Sequence, residues 1–249
     1  MAKSRKSQRL YIGTSGWHYV HWLSVFYPKD LPKDKWLQYY SRHFKTVELN
    51  NTFYHLPKEK TVENWHNLAP QGFIFSVKVS KYISHVKKLK EVQENINLFF
   101  DRMRHLKDNL GPFLTQLPPS FKKEKENIRC LDDYLKALPR NYRQVIEFRH
   151  PSWFNDDIYH LLNRYNAALC IVSMPNFPVV LEATSDFVYI RMHGGSILYG
   201  SNYSKKELKE CCNWIKRFLD DGLDVYIYFN NDAYGYAVKN ALTLKKMFF

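Results

Sequence analysis

Cysteine is scarce, with Cys130, Cys170, Cys211 and Cys212 the only four in 249 residues. Their spacing fits no metal-binding pattern, and adjacent Cys211 and Cys212 read as free thiols on a helix. A chain of free thiols is expected in a reducing cytoplasm. Long apolar runs are missing too: none approaches the ~18 residues of a membrane-spanning helix, so no membrane partner is expected. The opening MAKSRKSQR is basic, but no apolar stretch of secretory-signal length follows it. No linker, composition break or internal low-complexity segment divides the chain. The expected organisation is therefore a basic, disordered arm over residues 1–10 and one domain over 11–249. Acidic residues are few as well, 24 against 37 Lys and Arg, for a net charge of +13. That excess favours anionic partners, nucleic acid included. The basic clusters at 87–90, 122–125 and 205–206 fall in expected loops and helix ends, where they also read as ordinary solvated surface.

What is present is a repeated strand. Eight apolar, β-branched or aromatic runs occur at 11–17, 46–51, 73–80, 112–118, 144–150, 168–174, 187–194 and 224–232. Helical patterns separate them at 36–44, 60–69, 91–106, 126–138, 156–166 and 205–222, and a last one covers 235–249. In the third, Val92, Ile96, Phe99, Met103 and Leu106 recur at helical spacing and predict one buried face. Only the link after the sixth run, PNFPVVLEATS, lacks a helix. Strands alternating with helices imply a parallel sheet. Eight strands close a (β/α)8 barrel of the TIM type, here with an irregular crossover after strand six. An open doubly wound sheet shares the same alternation.

Each run ends in groups that a buried strand normally excludes. Side chains alternate faces along a strand, so Val145, Glu147 and Arg149 share one face while Ile146 and Phe148 share the other. The same parity joins Tyr189, Arg191 and His193, joins Ser76 with Lys78, and joins Glu48 with Asn50. Gln116 and Asn230 also lie late in their runs. In a barrel this polar face points inward near the carboxyl-end mouth, where barrel enzymes carry their chemistry. Buried charge is costly unless it is paired or used. The functional reading is an anion held by the Arg149 and Arg191 forks, with Glu147, His193, Lys78 or Glu48 moving protons. A lysine crowded by arginines is also a candidate nucleophile. The bland reading is a self-neutralising layer of ion pairs. No metal or cofactor is expected, because interleaved arginines and a lysine oppose a divalent cation.

Three weaker signals lie in the loops. The HGGS segment at 193–196 follows strand seven, where barrel loops often bind phosphate through backbone N–H groups, although two glycines also make an ordinary turn. His85 follows Lys78 and reads either as a lid residue or as surface. Trp17, Tyr19, Trp22, Phe26, Tyr27, Tyr54, Trp153, Phe154 and Tyr199 cluster after the strands, either to stack on a sugar or base or to hold the loops as a small core.

The motifs GTSGWHYVHW, FYP, WLQYYSRHFKTVELNNTFYHLP, ISH, FLTQLPPSF, VIEFRHPSW, YIRMHG and YFNNDAYGYAVKNA occur in this order. Together they resemble the YecE-like family, domain of unknown function 72, from about Tyr11 to the terminal helix. The resemblance implies a TIM-type barrel, and a distant likeness of fold to metal-dependent barrels such as endonuclease IV. It marks Glu48, Asn50, Tyr54, Lys78, His85, Gln116, Glu147, Arg149, Trp153, Arg191, His193, Gly194, Tyr199, Asn230, Asn231 and Asn240. Two positions depart from its pattern: Ser84 stands where threonine is usual, and Ser173 where an acidic residue often ends strand six. The expected function is an enzyme using acid/base chemistry on a phosphorylated or carboxylated small molecule; the alternative is a nucleic-acid-binding protein or nuclease-like repair accessory. Fold alone does not choose between them.

Overall fold

The structure, a computed structural model, describes residues 9–248. Eight parallel strands form one sheet: β1 Leu10–Thr14, β2 Thr46–Leu49, β3 Ile74–Lys78, β4 Leu110–Gln116, β5 Gln144–Glu147, β6 Ala167–Ser173, β7 Phe187–Met192 and β8 Asp224–Phe229. Strands β2 to β8 pair in sequence order, and β8 returns to β1. The seam between β1 and β2 is bridged by Ser15 and Glu48, so the sheet is a nearly closed TIM-type barrel. Gly13 makes that seam possible: a Cβ there would meet the Thr46 carbonyl oxygen at 2.4 Å.

Residues 1–8 of the expected arm lie outside the described residues. The barrel reaches further back than expected, because the Arg9 N–H donates to Asp224 Oδ1 at 3.1 Å and Leu10 opens β1.

Among the described residues seven α-helices cover the sheet: α1 Trp36–His43, α2 Glu59–Leu68, α3 Gln93–Met103, α4 Lys125–Ala137, α5 Asp156–Arg164, α6 Lys205–Asp220 and α7 Tyr236–Lys245. The apolar stripe of α3 is buried as its period predicts. Helix α6 starts on a capping box, with Ser204 and Glu207 bonding reciprocally, and Gly222 follows it at φ +85°. Residues 174–186, between β6 and β7, contain no helix. Thr184 secures that link instead: its hydroxyl accepts from the Leu169 N–H at 2.8 Å and donates to the Ala167 carbonyl at 2.6 Å.

Strand parity divides the core in two. Val47, Leu49, Phe75, Val77, Ile146, Phe148, Val188, Ile190 and Met192 pack outward in the larger cluster with the helices. Tyr11, Leu114, Val145, Cys170, Tyr189, Tyr226 and Tyr228 fill the barrel interior. The polar ends of the strands therefore sit on an aromatic plug that closes the barrel below them.

Candidate active site

The layer above the plug is built around one arginine. Arg191 is completely buried. Its Nε and Nη2 donate to the two oxygens of Glu48 at 3.0 and 2.6 Å, and its Nη1 donates to Glu147 Oε2 at 2.8 Å. Longer contacts of 3.4 Å take the remaining N–H groups to Ser15 Oγ and His193 Nε2. An arginine carries five N–H donors and no acceptor, so none of these is left for a ligand. Glu48 also accepts from Ser15 and, at 2.7 Å, from Tyr189. Burial alone would raise both carboxyl groups, but the guanidinium charges and donated bonds outweigh it, so Glu48 lies below the usual range and Glu147 well below it. Both are ionised acceptors with their oxygens occupied.

Arg149 differs. Its Nε donates to Glu147, its Nη1 meets the Met174 sulfur at 3.1 Å, and its Nη2 donates to His193 Nε2 at 3.0 Å. Among the described residues, two of its five N–H donors have no partner, one on each terminal nitrogen. Those bonds also fix the state of His193. Arginines only donate, so Nε2 carries a lone pair and the neutral ring holds its proton on Nδ1. The Asn230 amide nitrogen lies 3.2 Å from Nδ1; with the ring proton on Nδ1, a half-turn of that amide brings its oxygen there to accept it. Burial, then the Arg191 charge, pushes the imidazole down to about 3, so it stays neutral across the physiological range.

Lys78 is the odd charge of the layer. Its side chain ends β3 and is 7% exposed. Among the described residues no carboxylate lies within salt-bridge distance of it, and no hydrogen bond holds its nitrogen, which rests 4.0 Å from the centre of the Phe53 ring. Burial, and next the Arg191 charge, push the amine down from 10.5 to about 7. Phe53 also packs edge-on against His85, ring centres 5.0 Å apart. The Ser84 hydroxyl donates to the Ser80 carbonyl at 3.0 Å, so it accepts from His85 Nδ1 at 2.9 Å and leaves the His85 Nε2 lone pair free. Burial and Lys78 hold His85 near 4.

A cleft of about 560 Å³ opens between the loops after β1 and β2, lined by Trp17, Tyr19, Asn50, Tyr54 and Trp65 among others, and it reaches the layer through Tyr19, whose hydroxyl donates to the carbonyl of Ser15, the residue that bonds Glu48. The Asn50 side-chain oxygen is buried with no hydrogen-bond partner among the described residues. An unpaired buried acceptor is costly, and a donor on a bound molecule would satisfy it.

The family model described as protein of unknown function DUF72 matches residues 11–249. The chain belongs to this family. YecE of Escherichia coli K12 is 31% identical over 145 residues, a stretch covering 58% of this chain and half of that relative. YunF of Bacillus subtilis is 27% identical over 93% of this chain and 92% of its own length. A DUF72 crystal structure from Thermotoga maritima superposes with a TM-score of 0.89 at 31% identity, covering 96% of this chain and 99% of that one. One from Enterococcus faecalis, at 22% identity, shares the fold with a TM-score of 0.84.

In this DUF72 barrel, Glu48, Glu147, Arg149, Arg191, His193 and Asn230 form one connected network, with Lys78 at its edge. Gln116 pairs in register with Glu147 on the neighbouring strand and is half-buried. Several expected roles change. Arg191 is no anion fork, because its donors are taken. Glu147 and His193 are poor proton carriers near neutrality, because bonds occupy Glu147 and hold His193 neutral. Trp153 is core: buried, stacked on Phe148 and donating to the Phe121 carbonyl at 2.6 Å. Asn231 is buried too, donating to the Ser201 carbonyl and to Asn240, each at 2.8 Å, and so ties the loop before α6 to α7. The HGGS loop offers no cradle through Gly194, Ser196 or Ile197, whose N–H groups bond Tyr203 and Ser201 within the loop. Gly194 serves the turn, at φ +111° with the Ile197 carbonyl 2.3 Å from where a Cβ would be. Tyr199 sets its ring edge-on against His193, centres 5.4 Å apart. The aromatic group divides: Trp17, Tyr19 and 67%-exposed Tyr54 line the cleft, while Trp22, Phe26 and Tyr27 pack as a small core against α1.

Three contributors escaped the sequence reading. Met174 follows inward Val172 by two residues, so parity could have found it. Phe53 and Trp65 sit on a 3-10 turn and on α2, where strand parity gives no signal. The two carboxylates of the layer are bound by arginine, and no cluster of three metal-ligating side chains occurs among the described residues. No helix of the described residues is long and apolar enough to cross a membrane.

Proposed function

We propose that the barrel mouth is an active site for an anionic small molecule, phosphorylated or carboxylated, and that it works by acid/base chemistry. The observation that carries this reading is Lys78, a nearly buried amine without a carboxylate partner, poised near 7 beside an arginine with unassigned donors. In the layer, Glu48 and Glu147 balance Arg149 and Arg191, so a protonated Lys78 adds an uncompensated positive charge that an anion would balance. Arg149 would hold the anion, the aromatic cleft with Asn50 would take the body of the molecule, and Lys78 would exchange the proton. Glu48, Arg191 and His193 would position these groups rather than react. A cytoplasmic home suits the four free thiols.

Thermal stabilisation by phosphorylated sugars, small organic acids, nucleotides and oligonucleotides tests this directly, since a ligand of the folded state raises its melting temperature. Binding an anion favours the protonated amine, so affinity is full below pH 7 and falls up to about tenfold per pH unit above it. The expected result is a shift from a small anion that is larger at pH 6 than at pH 8.5, and that in Lys78→Met is smaller and no longer depends on pH over this range. A shift from oligonucleotides alone, lost as salt rises, would replace this reading with the nucleic-acid one.

A further inference from the structure

Building on that reading, we infer that Lys78 acts as an amine nucleophile, forming an imine with the carbonyl carbon of an anionic oxo compound, either an oxoacid or a phosphorylated aldehyde or ketone. Its surroundings suit an amine better than a fixed cation. A lysine that only holds an anion works best protonated, which solvent exposure and distance from other cations favour. Lys78 is instead nearly buried, lacks a carboxylate within salt-bridge distance, and lies against the face of Phe53. The anion already has Arg149, whose charge is permanent and whose two terminal nitrogens each keep an N–H. A neighbouring cation and desolvation are the two conditions that activate a lysine nucleophile, and the deep partner of the layer, Arg191, supplies the first.

The chemistry balances without an oxidant. The neutral amine donates its lone pair to the carbonyl carbon, and the carbonyl π pair moves to oxygen, which takes a proton. The resulting carbinolamine loses that oxygen as water after a second proton transfer, and the nitrogen lone pair forms the C=N bond. Counted from the ammonium, the products are a protonated imine and one water, with charge unchanged. The iminium carries its positive charge at the same nitrogen, 4.0 Å from the Phe53 ring centre, where the ring face attracts a cation. His85, edge-on to the same ring with a free Nε2 lone pair, is placed to accept a hydrogen bond from the intermediates.

The test is reductive trapping. The whole protein is incubated at pH 7 with cyanoborohydride and, separately, glyoxylate, pyruvate, glycolaldehyde phosphate or uncharged acetaldehyde, then mapped by peptide mass. Lys78 is expected to be alkylated at least tenfold faster than the median lysine by an anionic probe. Saturable labelling by the oxoacids or by the phosphorylated probe tells the two substrate sources apart, and inorganic phosphate should compete. Equal labelling by acetaldehyde would overturn the anionic class. Labelling of Lys78 no faster than of surface lysines would overturn the nucleophile; if the same anions still raise the melting temperature, the acid/base site survives, and if they do not, both fall. These outcomes are read on the wild-type chain, so none depends on a variant folding.

Discussion

Replacing Lys78 by methionine should make this protein more stable. The substitution keeps an unbranched side chain of similar volume against Phe53 and removes an ammonium that burial and Arg191 disfavour. Folding takes that ammonium from 10.5 to about 7. At 1.36 kcal/mol for each pH unit, this corresponds to about 5 kcal/mol, and about 3–5 kcal/mol once local relaxation is allowed for. The sign follows from proton binding in each state. Below pH 7 both folded and unfolded chains are protonated, and the folded state bears the whole cost. Between pH 7 and 10.5 the unfolded chain binds the extra proton, so the wild type gains stability as pH rises. The advantage of Lys78→Met should therefore be largest at pH 6 and shrink to about 1.4 kcal/mol at pH 9.5. At about 2–4 °C per kcal/mol for a chain of this size, the shift near pH 6 is roughly 10 °C. Denaturant unfolding of both proteins at pH 6, 8 and 9.5 measures it, and their difference cancels the other titrating groups. A variant no more stable than wild type at pH 6, or a gap that does not change with pH, would refute the reasoning. Loss of function alongside the gain would fit an active site held at the expense of stability.

The opposite outcome is expected for Arg191→Met: Glu48 and Glu147 would remain buried and charged, so unfolding free energy should fall by at least about 3–5 kcal/mol, with Arg191→Lys unable to restore it because an ammonium cannot reach both carboxylates in the same geometry. Trp153→Ala should cost about 3–5 kcal/mol by leaving a cavity beside Phe148, while anion-induced stabilisation persists in the folded fraction. Both mouth carboxyl groups are depressed, so their contribution is complete above the ordinary carboxylate range and is lost as pH falls through their folded values; circular dichroism during acid titration should show cooperative unfolding below about pH 4, and Arg191→Met should shift that midpoint upward.

Much of the barrel was legible because its signals are local. Side-chain alternation has a period of two and helix packing a period near 3.6, so neighbours in sequence report which face they share. That is why Glu147 and Arg149, or Arg191 and His193, were assignable to the interior without coordinates, and why the helix-free link after β6 showed through its prolines. The ends of strands were less legible: β5 stops at Glu147 and β7 at Met192, yet Arg149 and His193 keep the inward direction beyond the last residues of their strands.

What the sequence by itself determined, then, was the alternating fold and the list of polar groups that must face the barrel mouth. Only the tertiary structure decided what each can do. Arg191 meets carboxylates 143 and 44 positions away in the chain, and those distant bonds remove it from ligand duty. Arg149 keeps donors because it has three partners for five N–H groups: Glu147, a sulfur and an imidazole that accepts. Lys78 is left without a carboxylate because both nearby ones are already taken, and Trp153 disappears into the core because Phe121 and Phe148 close over it. Hydrogen-bond capacity and charge balance are sums over everything within a few ångströms, and no local period in a sequence carries that sum.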